Sequence, residues 1–112
     1  MLLLMKKQPN KNKLRYSLIE PEFIKQLAQV IAHGNEKYTP ESWKNNNKVV
    51  YIDALLRHLM EYMLGNKVDP DSGLPHLSHA AVNIMMVAWF EEREYDPHLK
   101  AMMDCFESSG IK

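Results

Sequence analysis

The stretch Asp69–Asn83, reading DPDSGLPHLSHAAVN, restricts this chain more than any other. Pro70, Gly73 and Pro75 fix a rigid turn, because proline locks φ and glycine alone enters the positive-φ region without steric cost. A helix then opens with His76, His79 and Asn83 at spacings of three and four, which puts all three on one face. That polar stripe runs into Ala80–Phe90, apolar almost all round, so this helix must lie at the centre of a bundle or at a subunit interface. The remainder of the chain reads as the frame that holds the stripe against a partner helix.

The frame is helical wherever its periodicity is clear. Pro21 suits a first helical position and Glu22 the positive end of the dipole; Ile24, Leu27, Ala28 and Ile31 form an apolar stripe, and Gly34 supplies a stop. A second helix is predicted from about Val49 to Leu64, closed by Gly65, with Ile52, Leu55, Leu56, Leu59 and Met63 spaced for one buried face. Asp53, Arg57, His58 and Glu61 lie on its flanks, and Asp53 can pair with Arg57 four residues on. Pro75 begins the third helix, which runs to about Glu94, and Leu99, Met102, Met103 and Phe106 mark a shorter fourth over 97–106. Leu14–Ile19 reads as extended, and Asn35–Lys48 as a loop. The expected architecture is all-α: residues 1–13 as a flexible basic arm, and 14–112 as one compact bundle of about four helices.

Composition narrows the function. Zero formal net charge argues against a nucleic-acid polymer as partner, although nine Lys or Arg against four Asp or Glu in the first fifty residues leave room for a small anionic ligand. No apolar run approaches the ~18 residues of a membrane span. The single cysteine, Cys105, gives neither an internal disulfide nor a zinc knuckle; it fits a reducing cytoplasm and reads as a core residue. The absence of GxSxG, GKS and HExxH signatures removes the commonest hydrolase and P-loop readings, and no His-Asp doublet supports an HD-type phosphohydrolase. Asp69–Gly73 opens like a calcium loop, but Leu74 and Ala80 occupy the positions that need glycine and glutamate.

What remains is one polar constellation. His76, His79 and Asn83, facing His58 and Glu61 on the preceding helix, form a candidate site for a divalent cation between helices, with Asp69 and Asp71 as further oxygen donors. Bracing of the helix start by hydrogen bonds to the Asp69–Asp71 turn is the competing reading. Trp43 can plug the end of the core, or it can belong with Tyr38 to a lid that stacks on a base while Lys37 meets a phosphate.

Taken together, Leu14–Ile19 before Pro21, Gly34 with Lys37-Tyr38, Trp43, Ala54 with Arg57-His58-Leu59, and DPDSGLPHLSHAAVN resemble the N-terminal domain of phage-type dATP/dGTP diphosphohydrolases. That family is similar to the MazG-like all-α nucleoside triphosphate pyrophosphohydrolases. The resemblance implies cleavage of a purine (d)NTP to monophosphate and pyrophosphate with Mg²⁺ or Mn²⁺, in subunits that dimerise or assemble further through their helices. Where the MazG-like enzymes carry two adjacent glutamates and a third three positions on, this chain has Arg57, His58 and Glu61; where they carry a glutamate and an aspartate, it has His76 and His79. The expected site is Glu61, His58 and His79 as catalytic groups, Glu61, Asp69, Asp71, His76, His79 and Asn83 around metal, and Arg15, Lys37, Tyr38, Trp43 and Arg57 around substrate. The rival expectation is a non-catalytic helical module that binds a nucleotide or protein, with the polar cluster as a buried hydrogen-bond network.

Overall fold

The structure, a computed structural model, describes residues 13–94 and Cys105. Three α-helices carry the fold, α1 (Pro21–Asn35), α2 (Lys48–Met63) and α3 (His76–Glu94), and no strand occurs among the described residues. The arm over 1–12 and the predicted fourth helix lie outside the described residues, except that Cys105 is helical and exposed rather than in the core.

Local chemistry sets the helix ends. Pro21 occupies the first turn of α1 with Glu22 beside it, where a missing N–H costs nothing and a carboxylate meets the positive end of the dipole. Asn47 caps α2, its side chain accepting the Val49 N–H at 3.0 Å. Gly65 follows α2 at φ 96°, a left-handed conformation that only glycine adopts freely. Leu14–Ile19 is not extended: Tyr16–Leu18 is a 3₁₀ turn closed by Leu18 N–H to Arg15 C=O and Ile19 N–H to Tyr16 C=O, both 3.1 Å. With no neighbouring strand to pair with, this segment satisfies its backbone locally.

α3 is central, packing most extensively on α2 and less on α1, while α1 and α2 barely meet. Ala80 and Val82 are its buried apolar side chains, and Val30 is that of α1. Four residues before Val30, Gln26 accepts the Ser78 hydroxyl at 2.6 Å, so a polar pair is sealed into the α1–α3 contact with Ser78 only 1% exposed. The apolar stripes are wider than what this packing covers. On α2, Ile52, Leu55 and Leu59 are half-buried, but Leu56 and Met63 stay 52% and 74% exposed. Ile24 and Ile31 on α1, and Ile84 and Met85 on α3, are exposed too. Asp53 and Arg57 are both exposed and do not form the ion pair their spacing allows.

The α2–α3 junction is tightly closed. An antiparallel bridge joins Val68 to Pro75, with Asp69 N–H to Leu74 C=O and His76 N–H to Lys67 C=O, both 2.8 Å. Inside it Gly73, at φ 72°, donates to the Asp69 carbonyl at 2.8 Å, and the Asp69 carboxylate accepts the Ser72 N–H at 3.0 Å. Pro75 offers its carbonyl to Ser78 N–H at 3.0 Å, so it stands one place before the helix. This junction decides where the first turn of α3 points.

Candidate functional site

His76 and His79 project from that first turn toward His58 on α2. The Nδ1 atoms of His58 and His76 lie 2.9 Å apart, so one ring donates and the other accepts. His79 stacks on His58 at 4.6 Å between centroids, 12° from parallel. Its Nε2 is 2.6 Å from Ser72 Oγ and 3.6 Å from Asp69 Oδ2. Ser72 Oγ accepts the Leu74 N–H at 3.1 Å and, with its second lone pair, the His79 Nε2–H, so its own hydrogen goes to the Asp69 carboxylate and the Nδ1 lone pair of His79 stays free.

Burial keeps the His58 and His79 rings neutral. Burial, reinforced by His79 and His76, pushes His58 down to about 4. Burial also lowers His79, with Asp69 opposing it. Burial would raise Asp69, but the Ser72 N–H and hydroxyl, with His79, hold it below the usual carboxylate range. Two neutral imidazoles beside one anionic carboxylate result at neutral pH.

This cluster forms part of the wall of an open cleft of about 860 Å³ between the α1 end, the following loop, α2 and α3. His58, His79, Asp69 and Asn83 line it, as do Lys37, Tyr38, Trp43, Arg57 and Asp71. Asn83 Oδ1 is buried there without a hydrogen-bond partner. Tyr38 is 68% exposed, free to stack on a planar ligand. Trp43 is not: it meets Tyr51, Trp89 and Phe90 edge-on at 6.2, 5.2 and 6.1 Å, while the Tyr51 hydroxyl donates to its carbonyl at 3.0 Å. That is the core-plug arrangement. Lys48 ties the same end shut through Glu91 and Glu94, which raise its ammonium.

Glu61 and His76 belong to a neighbouring cleft of about 900 Å³, which shares Arg57, His58 and Asp69 with the first. Glu61 accepts from Asn66 at 2.9 Å and lines this cleft together with His58 and His76. Arg15 is exposed before the 3₁₀ turn and lines neither cleft. Asp71 is held by Lys37 at 2.6 Å and His33 at 3.2 Å. The six residues expected around metal are therefore spread over two clefts, and among the described residues no three His, Cys, Asp or Glu side chains gather as a metal site. As they stand, the described donors of one chain do not fit a resident Mg²⁺ or Mn²⁺. His33 and Ser72 were missed; the spacing of four between His33 and Lys37 was the available sign, whereas Ser72 reaches His79 only through the turn.

A model of the family "dATP/dGTP diphosphohydrolase, N-terminal" matches residues 5–100. The chain belongs to this family. A dATP/dGTP diphosphohydrolase of Salmonella phage PMBT28 is 35% identical over 80 residues, covering 71% of this chain and 28% of the relative. The chain thus aligns with little over a quarter of that relative's length, within a family domain that is N-terminal by description. No solved structure matches. No helix among the described residues of this family member is long and apolar enough to cross a membrane.

Proposed function

We propose that this domain is a nucleotide pyrophosphohydrolase that cleaves a purine (d)NTP between its α and β phosphates, acting in cytoplasmic control of nucleotide pools. The observation that supports this most is that Lys37, Arg57, Tyr38, His58, His79 and Asp69 all face the same open cleft. Its volume suits a nucleotide. Water would attack the α-phosphorus while the bond to the β-phosphate oxygen breaks, giving monophosphate and pyrophosphate. In this reading His79, with Asp69 beside it, takes the proton from the attacking water. His58, neutral and only weakly basic, holds the neighbouring ring in place and Glu61 orients groups from the adjoining cleft. Lys37 and Arg57 offset the charge of the tail, and Tyr38 stacks on the base. Mg²⁺ or Mn²⁺ would arrive on the phosphates as part of the substrate, since one chain's donors do not form a site for it.

Association of two or more copies belongs to the same proposal. Leu56, Met63, Ile84 and Met85 form apolar surface that the described chain leaves open, which a second copy could cover while completing the neighbouring cleft.

A second reading has its own support. The hydrogen bonds between His58 and His76, between His79 and Ser72, and between Ser78 and Gln26 are those of a structural network inside a non-catalytic binding module. Incubating the chain with each dNTP and Mg²⁺, Mn²⁺ or Co²⁺ and assaying pyrophosphate separates the two. Hydrolysis that His79→Ala abolishes supports the enzyme; silence across the panel, with His79→Ala changing only thermal stability, sinks it.

A further inference from the structure

Outside the histidine cluster, the cleft holds a charged arrangement that the proposed hydrolysis uses only through Lys37. His33 sits in the last turn of α1 and Lys37 just beyond its end, and both reach one atom of the α2–α3 turn, Asp71 Oδ2. An acidic oxygen shared between an ammonium and an imidazole has the environment that a phosphate oxygen would seek. All three residues line the main cleft, and Asp71 stands two positions from Asp69, whose carboxylate lies beside His79. The slot is therefore next to the proposed reaction centre, where the distal part of a polyphosphate tail would lie.

Asp71 is suited to leave the slot. Its side chain takes no part in closing its own turn, which is held by the Asp69 and Ser72 groups and by backbone bonds. It is 63% exposed and Lys37 is 51% exposed, so solvent screens their attraction and the contact is weak. Asp69, by contrast, is 20% exposed and anchored by Ser72. The other titratable groups near the slot are Glu36, 3.8 Å from His33 Nδ1, and His79.

We propose that His33 and Lys37 form an anion subsite for a distal phosphate, and that Asp71 occupies it as an internal competitor which the incoming tail must displace. The role of the subsite in turnover rests on the hydrolase reading; its existence does not.

Titration calorimetry with inorganic tripolyphosphate, in EDTA at fixed ionic strength, tests it on the whole chain. Asp71→Asn removes the competing charge from an exposed side chain outside the turn's hydrogen bonds, and should bind tripolyphosphate about three- to tenfold tighter than the unaltered chain, the factor set by an exposed ion pair and a released charge. The gain should vanish when Lys37→Met is combined with it, because the local cation is then gone. An equal or weaker affinity for Asp71→Asn, a gain of full size that survives Lys37→Met, or no measurable binding by any variant overturns the subsite. dATP hydrolysis measured in parallel separates the two ideas: hydrolysis without the gain discards only the subsite, and the gain without hydrolysis keeps the subsite and counts against the enzyme.

Discussion

Protonating His58 should loosen the α2–α3 contact, and the size of the effect follows from its surroundings. The ring is held at about 4 against 6.5 in the open chain, so in between the unfolded chain binds more protons than the folded one. The contribution is therefore fully present above 6.5 and is lost as the pH falls toward 4. Between about pH 7.5 and about pH 5 the unscreened loss is ~2 kcal/mol by linkage. Solvent reaching the half-buried ring reduces this to ~1 kcal/mol. For a domain of this size that lowers Tm by roughly 4–8 °C. His58→Gln retains a partner for His76 and removes the titration. Thermal melts of both proteins in EDTA at the two pH values, at one protein concentration, provide the assay. The variant should lose several degrees less than the unaltered chain on acidification. Equal losses would refute the argument, because the proton uptake would then belong elsewhere.

Other perturbations probe the frame. Trp43→Ala should cost ~2–4 kcal/mol in urea unfolding, because Tyr51, Trp89 and Phe90 all lose an edge contact to it. Asn47→Ala should cost ~1 kcal/mol in the same experiment, the value of a capping side chain. A Cβ at Gly73 would meet nothing within 4 Å, so Gly73→Ala should cost only the ~1–2 kcal/mol of its left-handed backbone. Leu56→Glu with Met63→Glu should shift the chain to a lighter species in sedimentation; an unchanged profile would remove these side chains from any interface.

Much of the scaffold was legible because its punctuation is local. Pro21, Gly65 and Pro75 act through their own backbone or the adjacent turn, and helix ends could be placed to within a residue or two. The convergence of His58 with His76 and His79 was also accessible, since spacing fixes the face and the short connection fixes which helices meet. Periodicity says which side chains share a side but not how far a neighbour covers them, so Leu56 and Met63 looked interior. The Asn66 contact of Glu61 was not legible for a related reason: Asn66, in the bend after α2, reaches back to its carboxylate. The Asp71 contacts with His33 and Lys37 span more than thirty positions and depend on how α1 docks, which no short window reveals.

His58, Arg57 and Asp69 border both clefts, so the two cavities share these three side chains as a common wall. A molecule lodged on the Glu61 side would press on the same ring that His79 stacks against, and the two chambers would communicate without any helix moving. Small ligands or neighbouring subunits that fill the rear chamber thus have a direct mechanical route to the front one.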